Sequence, residues 1–475
     1  MATHPMNDIE QLPRAISTLA PRKPDRPLLL KGGTIISMDP QVGNLAQGDI
    51  LIDCDQIVAI GTAIPATNAR QIDATGMIVI PGLIDTHRHA WEGQLRRINP
   101  NSHTLEDYCN ATHFSYAPHY RPRDIYVGNL LTALGAIDAG ITTILDNAHN
   151  SRSARHSDAA VEALLDAGIR AVHAPGAPLT GAWDKAAWPG DLERLQAKYF
   201  ADGHGLVTLA MMSQIDREVW AVARRLGLRI VTEFFGKEMA AELSALHAEG
   251  LLGPDNIFNH CTGVPREGWD IISRAGISIN VCPRSDAHYA LEDGICAFQA
   301  ARDHGMKPGL SVDNESSYSG DLFMEMRVAF YLQRAMSQSR RFHGHEGVPD
   351  AVMVQDLLEA ATISGARCAG LEDRIGSLSP GKQADVVMIR ADDLNLYPSN
   401  NALGTVVHAA ERGNIDTVII GGRIRKQGGV VLGLDTQALK IATEESRQHL
   451  FDAVGHHPGP FDASFTHQPC ITDHP

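Results

Sequence analysis

The run AIDAG–ITTILDNAH, residues 136–149, ends a helix-like stretch on a glycine and passes at once into a β-branched segment. The same pairing recurs as LLDAG with IRAVHAP (164–175), RRLG with LRIVTEF (224–234), SRAG with ISINVC (273–282) and ARDHGMKPG with LSVD (301–313). Glycine just past the last turn is the expected helix C-cap. Strands that alternate with helices imply right-handed βαβ units and a parallel sheet. Strands are expected near residues 80–87, 141–148, 169–175, 206–212, 228–234, 257–261, 277–283 and 308–313. Eight units in one run favour a (β/α)₈ TIM-type barrel over an open doubly wound sheet. No GxGxxG follows the first strand, so dinucleotide binding has no support.

Outside this region the texture is β-rich. LLLKGGTIISM (28–38), GDILIDCDQIVAIG (48–61) and ARQIDATGMIVI (69–80) are short runs broken by Gly and Asp. Similar runs return late as GKQADVVMIR (381–390), LGTVVHAAERG (403–413) and IDTVIIGGRIRKQG (415–428). The expected division is an N-terminal arm over 1–26, a composite β-sandwich domain from 27–80 and 380–435, the barrel over 81–379, and a C-terminal helix and tail over 436–475. Two helical stretches, near 321–338 and 353–369, follow the last barrel strand.

The composition narrows the partners. Lys plus Arg is 41 against 56 for Asp plus Glu, a net charge of −15. Such a surface repels nucleic acid and anionic membranes, leaving a small molecule as the expected partner. The chain has no stretch of 18 apolar residues, and its first residues lack the apolar core of a signal peptide. Seven widely spaced cysteines without a CxxC fit free thiols in a reducing compartment. The cytoplasm is the expected location.

The chemistry concentrates in IVIPGLIDTHRHAWEGQLRR (78–97), where His87 and His89 stand two apart at the end of a β-run. Residues i and i+2 of a strand share a face. Both imidazoles therefore project into one space at the carboxyl end of the first barrel strand, where barrel enzymes place their sites. Neutral imidazole is the commonest transition-metal ligand. Asp313, in KPGLSVDNESS (307–317), ends the eighth strand and can both ligate a cation and accept a proton from water. His260 ends the sixth in NIFNHCTGV (256–264).

PGLIDTHRH (81–89) resembles the first-strand motif of the amidohydrolase superfamily, and the resemblance runs from KGGTIISMD (31–39) to PGKQADVVMI (380–389) and VIIGGRI (418–424). Within it the chain is similar to the branch of cytosine and guanine deaminases and triazine chlorohydrolases. The resemblance implies one divalent ion, zinc before iron, manganese or cobalt, held by His87, His89 and Asp313. It implies His260 as an acid–base or oxyanion group facing the substrate. It also implies homodimers or higher homo-oligomers.

The fifth strand departs from that pattern. Relatives carry a metal-binding histidine there, often in an HxxE motif whose glutamate shuttles protons. This chain has LRIVTEFFG (228–236), with Glu233 at the histidine's position and Gly236 at the glutamate's. Either Glu233 replaces the histidine as ligand, the favoured reading, or it carries protons or touches substrate. No lysine stands at the end of the fourth strand, LVTLAMMSQ (206–214), which speaks against a carbamylated-lysine binuclear centre.

Substrate contacts are expected from Trp91 and Gln94 after the HxH, His149 after the second strand, His173 on the third, and Arg284, Ser285 and His288 after the seventh. The expected reaction is hydrolysis of a C–N bond (amide, amidine or amino-heterocycle) or a C–X bond of a small, cyclic molecule by metal-activated water. A metal-dependent decarboxylase or lyase on the same scaffold is the alternative.

Overall fold

A computed structural model describes residues 26–462 apart from 186, 187, 202 and 204. The expectations for the N-terminal arm and for the end of the C-terminal tail fall outside the described residues. Strands β1 (Leu28–Ile35), β2 (Leu45–Asp53), β3 (Gln56–Gly61), β4 (Arg70–Asp73) and β5 (Met77–Pro81) come first. Next are β6 (Leu83–Arg88), β7 (Ile141–Ala148), β8 (Arg170–Pro175), β9 (Val207–Leu209) and β10 (Met211–Met212). They are followed by β11 (Ile230–Phe234), β12 (Asn256–His260), β13 (Ser278–Val281) and β14 (Gly309–Leu310). β15 (Val386–Arg390), β16 (Ile415–Ile420), β17 (Arg423–Gln427) and β18 (Val430–Val431) close the series.

The early and late strands share one sheet, in the order β18-β17-β16-β15-β5-β1-β2-β3, with β4 beside β1. β5 and β15 join its halves as an antiparallel pair, Pro81 opposite Val386 and Met77 opposite Arg390. The sheet has a core of its own in which Leu30, Ile50, Ile57 and Val79 meet Val386, Met388 and Ile419.

The middle strands form two parallel sheets, β6-β7-β8-β9 and β10-β11-β12-β13-β14. β7, β8 and β12 are buried along their whole length, as expected of parallel strands covered on both faces. Only Ala210 separates β9 from β10, and its N–H donates to the His173 carbonyl of β8 at 2.8 Å. At the other edge Asp313 bridges to Arg88 in parallel register. There the Asp313 N–H donates to His87 O (2.9 Å) and the His89 N–H to Asp313 O (2.8 Å). These bonds tie the ends of β6 and β14 together, so residues 226 positions apart in the chain become neighbours. The helices Ala154–Ala167 and Arg266–Ala275 end on Gly168 and Gly276, both left-handed, as the helix–glycine–strand rhythm requires.

One stretch differs from its sequence reading. LGTVVHAAERG is helical, not extended: Ala402–Gly404 is one α-turn and Thr405–Ala409 a π-helical turn. Asn401 starts it by accepting the Gly404 N–H at 2.8 Å. Thr405, Val406 and Val407 are buried in succession. The Arg327 guanidinium then takes up the carbonyls of Val407 and Ala410. Tertiary burial and these bonds outweigh the β-propensity of the TVV run.

Two tie points position the site. Arg170 on β8 makes a bidentate ion pair with Asp385, at 2.8 and 2.9 Å, locking the parallel sheet to the mixed one. The short 3₁₀ helix Ala90–Leu95, directly after His89, packs on the helix Pro122–Asp138 through Gly128. A Cβ on Gly128 would lie 2.2 Å from the Trp91 carbonyl oxygen. Among the described residues no helix is long and apolar enough to cross a membrane.

Candidate metal centre

Strand ends converge on one point. His87 is fully buried on β6, His89 follows that strand, and Asp313 follows β14. Asp313 Oδ1 lies 3.1 Å from Nε2 of both His87 and His89. Glu233, on β11, brings Oε1 to 3.5 Å from His87 Nε2 and 3.9 Å from His89 Nε2. Its Oε2 faces His260 Nε2 at 3.2 Å. One donor atom each from His87, His89 and Glu233 fit within 4.8 Å of one another. So do His87, His260, Cys282 and Asp313.

Three of these atoms, His87 Nε2, Glu233 Oε2 and Asp313 Oδ1, are buried without a hydrogen-bond partner. A buried polar atom left unpaired costs about 1–3 kcal/mol. Several such atoms aimed at one point are what a cation would satisfy. The histidine tautomers agree with this. His89 Nδ1 faces the Asn147 carbonyl (3.2 Å) and His260 Nδ1 faces Asp286 Oδ1 (2.7 Å). Each Nδ1 therefore carries a proton; for His89 this leaves Nε2 as a lone pair, while His260 Nε2 turns its own N–H toward Glu233 Oε2. Around His87 Nδ1 stand the amides of Asn147 and Asn259. The same Asn147 amide also donates to Glu233 Oε1 at 3.2 Å, linking His87 to the carboxylate of β11. The two carboxylates and two or three imidazoles make a hard-to-borderline donor set that fits zinc.

Electrostatics point the same way. Burial alone would raise Asp313, but His87 and His89 beside it hold its carboxyl well below the usual range. Burial also opposes the ionised form of Glu233, and His87 and His260 overcome it, bringing Glu233 down to about 2. Burial works against a charged His89, yet Asp313 and Glu233 push its pKa up to about 9. The cluster thus demands positive charge. The backbone is bent to make it: His260 and Asp313 hold φ of 65° and 74°. Left-handed non-glycine residues cost of order 1–3 kcal/mol each and persist where the surroundings impose them.

A cavity of about 140 Å³ opens onto the cluster. His89, Glu233, His260 and Asp313 form part of its lining, and Leu105, Tyr108, Met212, Phe235, Tyr289 and Leu291 make it largely apolar. A larger cavity of about 270 Å³ lies elsewhere, between Arg302, Lys307, Asp356 and Glu359, and contains none of these groups.

Of the expected substrate contacts, His149 and Ser285 line the cavity. Ser285 Oγ also donates to Asp313 Oδ2. The others stand outside the lining. Trp91 is buried behind it, its ring against His113, Tyr120 and His149. Gln94 donates to the Asp124 carbonyl and to Ser446, tying in the C-terminal helix Thr436–Val454. His173 is fully buried and pairs through Nδ1 with Asp146 at 2.8 Å. Arg284 pairs with the buried Glu325 and lies over the Tyr318 ring. His288 packs on Tyr289 and Tyr318. Sequence reasoning missed Tyr108, Cys109 and His113, which reach the cavity from helical turns; Asp286, in the loop after the seventh strand where contacts were expected, holds His260 and does not line the cavity.

The amidohydrolase family model matches residues 226–425. Over 456 residues the chain is 28% identical to a 5-methylthioadenosine/S-adenosylhomocysteine deaminase of Desulforudis audaxviator, covering 90% of this chain and 100% of the relative. It is 26% identical over 451 residues to a 5'-deoxyadenosine deaminase of Methanobrevibacter smithii, covering 90% and 99%. An adenosine deaminase from Xanthomonas campestris with bound zinc superposes with a TM-score of 0.78 at 21% identity, over 91% of this chain and 100% of that one. The atrazine chlorohydrolase of Arthrobacter aurescens TC1, complexed with zinc, gives 0.76 at 22%, over 88% and 100%. These likenesses establish a TIM-barrel type of α/β fold. Residues 226–425 thus carry an amidohydrolase family domain, and the proteins that the chain is similar to are deaminases of adenosine derivatives and triazine hydrolases.

Proposed function

We propose that the chain is a metal-dependent hydrolase that removes an amino group from a small heterocycle, with a single divalent ion, zinc first, held by His87, His89, Asp313 and Glu233. The observation that carries this is the convergence of unpartnered buried atoms from β6, β11 and the end of β14 on one point. When bound, such an ion supplies Lewis-acid chemistry, lowering the pKa of water and polarising the carbon under attack.

The chain's own residues do the rest. Glu233 serves two sides at once: Oε1 faces the imidazole pair and Oε2 faces His260. Asp286 holds His260 by Nδ1, so His260 exchanges its proton at Nε2, with Glu233 Oε2 as the neighbour. This pair stands in for the HxxE glutamate that Gly236 replaces. Ser285 steadies Asp313 by donating to Oδ2, which leaves Oδ1 turned to the imidazoles. Tyr108, Phe235, Tyr289 and Met212 offer flat and polarisable walls that bury a ring and exclude water. Deaminases among the relatives act on adenosine derivatives by name, and an aminopurine ring is the first substrate class to try.

The same reading takes the two parallel sheets as one closed (β/α)₈ barrel over 81–379. It takes the mixed sheet as the β-sandwich domain of 27–80 and 380–435. The protein would work as a homo-oligomer in the cytoplasm, where its thiols stay reduced. The test is a pair of variants. His87→Ala and Asp313→Ala should lose both bound zinc and ammonia release from aminopurine nucleosides while keeping the wild-type circular dichroism spectrum. Full activity in either variant would remove the centre from the reaction.

A further inference from the structure

The cavity that opens onto the cluster changes character with depth. At its floor His89, His260 and Asp313 are buried. Besides Glu233, the partly exposed residues of its lining, which form the mouth, are Leu105, Cys109, Leu179, Gln214, Phe235 and Met239. A free thiol packs as a small hydrophobe, so among the described residues Gln214 alone brings an amide to this rim. The rim is held in place. Leu105 opens the helix Leu105–Ala111, and Met239 lies on the helix Gly236–Ala241, directly after Phe235. The Arg152 guanidinium fixes the loop that carries Leu179: Nη1 donates to the Thr180 and Ala182 carbonyls at 2.8 and 3.1 Å, and Nε to the Ala117 carbonyl at 2.9 Å. The polar groups deeper in the wall are already committed. The Tyr108 hydroxyl donates to Glu92 Oε1 at 2.6 Å, the Tyr289 hydroxyl engages Asn314, Ser316 and Ser317, and His113 Nε2 and His149 Nε2 share a hydrogen bond at 3.2 Å.

We propose that the substrate is amphiphilic: its amino-bearing heteroaromatic ring goes down onto the cluster, and a hydrocarbon substituent on the far side of the ring fills the mouth, where a hydroxylated sugar is selected against. This rests on the reading of the cavity as the active site and deepens it. A methylene moved from water onto an apolar wall is worth roughly fourfold in an equilibrium constant, and a partly exposed wall returns about two- to fourfold. A hydroxyl pressed against the same wall gives up its water and finds no partner, which costs about 10- to 100-fold. Ribose carries several hydroxyls, and the rim answers them with the Gln214 amide. Adenosine is therefore the poorer ligand beside an adenine that carries an alkyl chain of similar reach.

The test is calorimetric titration of the zinc-loaded protein with 9-methyladenine, 9-ethyladenine, 9-butyladenine and adenosine, with ammonia release followed on the same compounds. Kd should fall about two- to fourfold with each added methylene. Adenosine should bind at least about tenfold more weakly than 9-butyladenine. Leu179→Asn and Met239→Gln, both at partly exposed positions, should each flatten the series and narrow the adenosine gap; the wild-type series itself needs no variant to fold. The proposal is overturned if Kd does not fall with chain length, if adenosine binds as tightly as 9-butyladenine, if no member of the series binds, or if both variants keep the full series. Binding and turnover separate the two readings. An affinity series without ammonia release refutes the deaminase reading alone, and zinc-dependent ammonia release with a flat series refutes this one alone.

Discussion

Asp385→Ala isolates the bond between the two sheets. Arg170 and Asp385 have side-chain exposures of 1% and 2%, so water does little to screen either charge. Asp385 accepts from Arg170 Nε and Nη2 at 2.8 and 2.9 Å and from the Gly421 N–H at 2.8 Å. Truncation leaves a buried guanidinium without its counter-ion and the Gly421 N–H without its acceptor. Removing one partner of a buried pair costs about 3–5 kcal/mol. The double variant Arg170→Met, Asp385→Leu removes both charges. It should cost only about 1–3 kcal/mol, chiefly for the amide left unpaired. The positive coupling between the two sites is then about 2 kcal/mol or more. Urea denaturation of wild type, Arg170→Met, Asp385→Leu and the double variant, with Asp385→Ala beside them and followed by fluorescence, measures each quantity. Zinc content at low urea should not change, because the pair lies at the amino end of β8, remote in the strand from the metal cluster. If Asp385→Ala costs less than about 1 kcal/mol, as an exposed pair would, or if the double variant is as unstable as the sum of the singles, the reasoning fails.

Three further outcomes follow from the site. Glu233→His should tighten zinc, measured by competition with a chelator, because it restores an imidazole at the end of β11; weaker binding would take Glu233 out of the ligand set. Burial pushes the Glu92 carboxyl from 4.5 to about 7. The folded chain therefore holds that proton more tightly than the unfolded one, and the stabilisation present below about pH 4.5 is lost as the pH rises through about 7, by up to about 3 kcal/mol. Glu92→Gln should flatten the stability profile across that window, and an unchanged slope would refute it. Gly128→Ala forces a methyl group against the Trp91 carbonyl, should cost about 1–3 kcal/mol, and should loosen zinc because His89 precedes that segment; a variant as stable as wild type on thermal denaturation would deny the contact.

The strands carrying the proposed metal ligands were legible because their physics is local. A β-branched run after a glycine cap announces a barrel strand, and the residue at its carboxyl end inherits a direction. His87, His260 and Asp313 could be placed that way, the last although β14 itself has only two residues. Glu233 was placed only through the resemblance, and its two oxygens turn out to face different neighbours. What lies between strands was not legible. No periodicity says that Tyr108 and His113, on consecutive helical turns, bend over the cavity, or that Gln94 leaves it for Ser446. Thr405–Val407 misled for a related reason: β-branched residues packed in succession look extended until the partner that buries them is known.

The pairing of β5 with β15 has a consequence for how the protein is made. Pro81 meets Val386 only after every barrel strand has left the ribosome, and β16, β17 and β18 must follow before the mixed sheet is whole. Until then the nascent chain carries an open edge of apolar backbone, the kind of surface that recruits other chains. Products that stop short of residue 386 are thus expected to be the sticky ones, even when every residue of the candidate metal centre has already been synthesised.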